Sequence, residues 1–112
     1  MSWSAFDSGK SIGASGSEDG VIVRDEQHSH GARITLERNA HTAPFAITCG
    51  VYGWMFHTRF FGTEDEARTE FELMSAELSK ILAMIPAALD PEVDAKSRSV
   101  HDAIFEFVKR FP

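Results

Sequence analysis

A chain of 112 residues, 43% hydrophobic and 25% charged, is sized for one compact core and lies far from the low-hydrophobicity, high-charge composition of disordered proteins. Its formal net charge of −6 repels phosphate backbones, so nucleic acid is excluded as the expected partner. The longest stretch free of Lys, Arg, Asp and Glu lies between Arg38 and Arg59, but it holds Pro44, Thr48, Gly50 and Gly53; it reads as strands, and no membrane span is expected.

Met1-Ser2-Trp3-Ser4 has neither the basic region nor the apolar stretch of a signal peptide, so a cytoplasmic protein is expected. Cys49 is the only cysteine. It excludes an internal disulfide framework and reads as a small buried hydrophobe. The whole chain, residues 1–112, is expected to form one domain with a flexible lead to about residue 19, because Ser8-Gly9-Lys10-Ser11-Ile12-Gly13-Ala14-Ser15-Gly16 lacks the apolar periodicity that would anchor it. At most one edge strand is expected there, at Lys10 to Ala14.

Beyond Gly20, Val21-Ile22-Val23-Arg24-Asp25 is a β-branched run of strand length, and His28-Ser29-His30-Gly31 reads as the next turn. Ala32-Arg33-Ile34-Thr35-Leu36-Glu37-Arg38 alternates strictly, as a half-buried strand requires. Phe45-Ala46-Ile47-Thr48-Cys49 resumes that pattern after a loop. Tyr52-Gly53 is expected to be a tight turn, with a last strand from Trp54 to Phe61; the alternative is a glycine bulge in one long bent strand.

The period changes at Thr63. Thr63-Glu64-Asp65-Glu66 has the form of a capping box, and Ala67, Phe71, Met74, Leu78, Ile81, Leu82 and Ile85 recur at helical spacing up to the stop at Pro86. Glu64 with Arg68 and Glu77 with Lys80 are helix-spaced ion pairs. A second helix is expected from Pro91, with Asp90 as its cap, to about residue 110. Lys96-Ser97-Arg98-Ser99 is polar all round and leaves open a break with Ser99 as a new cap, whereas the Asp94–Arg98 spacing argues for continuity.

Strands first and helices last indicate an α+β fold: an antiparallel meander of four or five strands over about residues 10–61, followed by two helices, about 63–85 and 91–110, on one face. The expected core comprises Ile34, Leu36, Ile47, Phe56, Phe60, Phe71, Met74, Leu78, Ile104 and Phe107.

Motifs for chemistry are sparse. Gly9-Lys10-Ser11 lacks the first glycine of a phosphate-binding loop, and Gly13-Ala14-Ser15-Gly16 lacks the strand and helix of a dinucleotide fingerprint. No cofactor is expected. His28 and His30, near Asp25 and Glu26, carry ligand types that suit zinc, but a loop fixes no geometry and no cysteine or third histidine completes the set. They read as solvated loop histidines, and no metal is expected. No Gly-x-Ser-x-Gly elbow is present for Ser-His-Asp chemistry.

The group that stands out is Tyr52, Trp54, Met55, His57, Arg59 and Phe61. In a strand, Met55, His57, Arg59 and Phe61 oppose Trp54, Phe56, Thr58 and Phe60. With the second set in the core, the first lies beside Arg33, Thr35 and Glu37 on the face the helices leave open. Aromatic, Met and Arg side chains on an open sheet favour an interface, so a homodimer contact is expected there, with a further protein partner as an extension. The rival arrangement buries Met55 to Phe61 under the helices and centres a dimer on Trp54. The alternative function is a small-molecule-binding protein or small enzyme with a pocket around Tyr52, His57 and Arg59, with His57 moving a proton and Arg59 clamping an anion. Cys49 joins them as a nucleophile only if the turn at Gly53 changes facing. The expected function is therefore a small, non-enzymatic, self-associating or protein-interaction domain.

Overall fold

In the computed structural model, which describes residues 2–112, five strands are followed by two helices. They are β1 (Trp3–Ala5), β2 (Val21–His28), β3 (Ala32–Arg38), β4 (Phe45–Val51), β5 (Met55–Phe61), α1 (Glu64–Met84) and α2 (Val93–Arg110). The strands pair as an antiparallel meander in the order β1-β2-β3-β4-β5. Both helices pack against one face of it, giving the α+β architecture that the change of period at Thr63 foretells.

Cross-strand partners share a face. Ala32, Ile34 and Leu36 pair with Val51, Cys49 and Ile47, and these in turn pair with Met55, His57 and Arg59. That face meets Phe71, Met74 and Leu78 of α1 and Val100 and Phe107 of α2 in one buried cluster. On β2 the register shifts between Ile22 and Arg24, so Val23 is the extra residue of a β-bulge. The bulge lets Ile22 and Asp25 both oppose the open-face residues Glu37 and Thr35, although they lie three apart in sequence.

Three expectations need correction. Phe56 and Phe60, expected in the core, lie on the open face and are 85% and 43% exposed. The cause is the turn: it contains three residues, Tyr52-Gly53-Trp54, with Gly53 at φ 83° and the Trp54 N–H donating to the Val51 carbonyl. Trp54 therefore belongs to the turn, β5 starts at Met55, and a slip of one residue reverses the facing of every side chain that follows. The expected edge strand at Lys10 to Ala14 is also displaced. The paired edge segment is β1, where Trp3 lies opposite His28. The Trp3 indole donates to the Ser75 carbonyl (3.2 Å) and to Ser79 Oγ (3.1 Å), tying this strand to α1.

The second helix begins two residues later than expected. Asp90 stops short of capping α2; it accepts from the Glu92 N–H at 2.8 Å and pairs with Lys96 at 2.6 Å, closing a turn before Val93. Beyond it, α2 runs unbroken through Lys96 to Ser99.

Helix α1 starts where the sequence implies. Thr63 Oγ1 accepts from the Glu66 N–H, and Glu64, Asp65 and Glu66 occupy the first turn at the positive end of the dipole. Thr63→Ala is expected to lower the unfolding free energy by about 0.5 to 2 kcal/mol, read from the midpoint of urea denaturation, through loss of this cap.

Candidate functional site

Met55, His57, Arg59 and Phe61 do not lie beside Arg33, Thr35 and Glu37. They face the helices. The His57 Nε2 pairs with the Phe111 carbonyl, and its ring meets Phe107 edge-on. The Arg59 guanidinium pairs with Glu70 at 2.8 Å and reaches the Pro112 carbonyl at 3.3 Å, fastening β5 to α1 and to the end of α2. Both groups are engaged by the helix layer and lie away from the open face of the sheet. Trp54 packs against His101 on α2 with the rings tilted and their centroids 5.1 Å apart, while Tyr52 stays exposed at the hairpin tip.

Cys49 and His57 are direct cross-strand partners, nearer than the expected facing allowed. Burial nevertheless pushes the Cys49 thiol up to about 12, despite the Arg59 charge nearby. A thiol so placed stays protonated at neutral pH and is not a nucleophile.

His28 ends β2 rather than lying in a loop, and it is buried against Trp3, whose ring centroid is 5.2 Å away. Its Nδ1 accepts from the His30 N–H at 3.1 Å, so that nitrogen carries no proton. Burial, with the neighbouring His30, holds the imidazole below the usual histidine pKa. The unfolded chain therefore binds the extra proton first. Stability contributed by the neutral ring is complete above the unfolded pKa of about 6.5 and is lost as pH falls through the folded value. Urea midpoints are expected to fall between about pH 7 and about pH 5.5, and His28→Phe to flatten that slope. Among the described residues, no three His, Cys, Asp or Glu side chains gather as a metal site.

The open face carries the features that sequence reasoning missed. Its β2–β3 half is covered by the Gly- and Ser-rich lead, which is held by the buried carboxylate of Glu37 and, through Arg33 and Phe6, by that of Asp25. Glu37 is fully buried and accepts from the backbone N–H groups of Glu18 (3.2 Å) and Gly20 (3.0 Å). Gly20 is required there because a Cβ would stand 2.6 Å from the Arg38 carbonyl oxygen. Asp25 accepts from Arg33 Nε (2.9 Å) and Nη2 (2.6 Å) and from Thr35 Oγ1 (2.9 Å). The Phe6 ring covers that guanidinium, with its centroid 3.6 Å from Cζ. The charges at 25, 33 and 37 are visible in the sequence, but the pairing of Asp25 with Arg33 depends on the bulge at Val23.

The β4–β5 half stays uncovered. Between it and the lead lies a groove of about 810 Å³, floored by Thr35, Thr48 and Gly50 and walled by Phe6 on one side and Tyr52 and Phe56 on the other. A row of polar partners, Asp25, Thr35, Thr48 and Thr58, crosses the sheet to β5. Among the described residues, no strand pairs with the outer edge of β5. In the helix layer, Arg110 on α2 pairs with Glu77 of α1 at 3.0 Å. At 3.6 residues per turn, Phe105 and Val108 fall on the opposite flank, away from α1. Phe105 is 66% exposed.

Compared with known protein families, curated proteins and solved structures, the chain matches none.

Proposed function

We propose that this chain is a small non-enzymatic domain that self-associates by pairing β5 with β5 of a second copy. The observation that carries this reading is the self-complementarity of an unpaired seven-residue edge strand, Met55–Phe61. Antiparallel pairing centred on Thr58 sets Phe56 opposite Phe60 of the partner subunit, twice, and Thr58 opposite its own copy. Aromatic cross-strand pairs are among the stabilising ones, about 0.2 to 1 kcal/mol each. The same twofold axis draws the two α2 flanks together and covers Phe105 and Val108, which a monomer leaves in water. An open edge flanked by exposed phenylalanines is a hazard unless it is paired, because it also templates aggregation.

The engagement of His57, Arg59 and Cys49 within the fold supports the non-enzymatic part of the reading. A single buried thiol fits a cytoplasmic setting. The dimer differs from both arrangements weighed on the sequence: its centre is Thr58, flanked by Phe56 and Phe60, rather than Met55 to Phe61 or Trp54. Sedimentation velocity at micromolar concentration is expected to give a dimer for the wild type. The double variant Phe56→Lys and Phe60→Lys, altered only at exposed positions, is expected to be a folded monomer. A wild-type monomer, or a double variant that remains dimeric, contradicts the reading.

A further inference from the structure

We infer that the groove on the open face binds a small, flat aromatic acid, with its anionic group on Arg33 and its ring against the aromatic walls. The groove lies within one chain, and of the residues that floor and wall it Phe56 alone also belongs to the proposed β5 contact.

Size and lining select a small molecule. The volume, about 810 Å³, falls in the range of about 300 to 1,000 Å³ that ligand sites occupy, and the walls are largely apolar and aromatic. Gly50 contributes to the floor by what it lacks. A Cβ there would stand 3.4 Å from the Met55 carbonyl and 3.8 Å from the Phe56 ring, narrowing the space.

Charge selects an acid. Among the described residues, Arg33 is the only charged one lining the groove. Its Nε and Nη2 are committed to Asp25, while Nη1 has no hydrogen-bond partner among the described residues. Asp25 and the Phe6 ring hold the guanidinium in place, so binding an anion through Nη1 orders little that is not already ordered. Guanidinium hydrogen bonds to carboxylates are among the stronger ones. One such donor beside aromatic walls suits a single negative charge on an apolar ring. A phosphate, which gathers several cations or backbone donors, is poorly matched. The hydroxyls of Thr48 and Tyr52 add polar edges, and Tyr52 is open to solvent.

The test uses 2-naphthoate and its uncharged counterpart 2-naphthamide, each titrated into isotope-labelled full-length protein with amide shifts followed by NMR. Saturable shifts are expected at Arg33, Thr48, Gly50 and Tyr52, with the acid bound about tenfold more tightly than the amide, equivalent to about 1.4 kcal/mol. The paired variant Asp25→Asn and Arg33→Gln removes both charges together and leaves no buried charge alone. It is expected to bring the two ligands to equal affinity. Tyr52→Ala alters an exposed side chain outside the proposed β5 contact and is expected to weaken both ligands about tenfold. Phe60→Lys, outside the groove, is expected to change neither affinity, which separates this site from the dimer contact. Equal affinities in the wild type, shifts confined to other surfaces, or no saturation at millimolar ligand overturns the inference, and the wild-type comparison decides even if the paired variant does not fold.

Discussion

Arg33→Ala is expected to lower the unfolding free energy by about 3 kcal/mol, because it strands a carboxylate that the sheet and the lead keep from water. The Asp25 side chain is fully buried, and its partners are Arg33 and Thr35. Removing the cation leaves the carboxylate with one hydroxyl donor, and the cost of an uncompensated buried charge exceeds the value of the pair itself. The Phe6 ring also loses the guanidinium it covers, which loosens the lead. Urea denaturation is the measurement. The paired variant Asp25→Asn and Arg33→Gln is expected to be more stable than Arg33→Ala alone; an Arg33→Ala loss below about 1 kcal/mol means that water reaches Asp25 without cost.

Trp3→Ala is expected to cost about 2 to 3 kcal/mol and to lower Tm by about 10 °C or more. Sequence reasoning makes the opposite forecast for this region, since Trp3, Phe6 and Ile12 are dispersed among glycines and serines. The difference comes from pairing. Trp3 joins β2 opposite His28, packs against the core cluster and bridges to α1 through two hydrogen bonds from its indole nitrogen. Loss of the indole removes buried apolar area and leaves the Ser75 carbonyl without this donor. Deleting residues 2–8 is expected to be at least as costly as Trp3→Ala, because it also removes Phe6 from the Arg33 face. Calorimetry of both variants checks this, and a deletion that leaves Tm unchanged contradicts the docking of β1.

Much of the fold is legible in the sequence because its signals are local. Strict alternation from Ala32 to Arg38 identifies β3, and Thr63 with Glu64, Asp65 and Glu66 marks the start of α1. Facing across the β4–β5 hairpin is not local in that sense. It depends on whether the turn has two residues or three, and Tyr52-Gly53-Trp54 supports either count until the Trp54 N–H finds the Val51 carbonyl. That single residue moves Phe56 and Phe60 from the core to the surface and sends His57 and Arg59 under the helices. The fate of the lead is equally hidden, since it depends on Glu37 of β3 accepting from the Glu18 and Gly20 N–H groups and on Asp25 of β2, which comes to hold Arg33 under Phe6 only when the bulge at Val23 sets its facing.

Self-association through β5 is tested most directly by NMR on a sample mixed from isotope-labelled and unlabelled chains, in which only contacts between two copies give filtered nuclear Overhauser effects. Pairing centred on Thr58 predicts contacts from Phe56 of one copy to Phe60 of the other, together with contacts between the Phe105 and Val108 flanks of the two α2 helices. A dimeric sample whose intermolecular contacts arise from Trp54, the α1 surface or the lead, with none between Phe56 and Phe60, would contradict it.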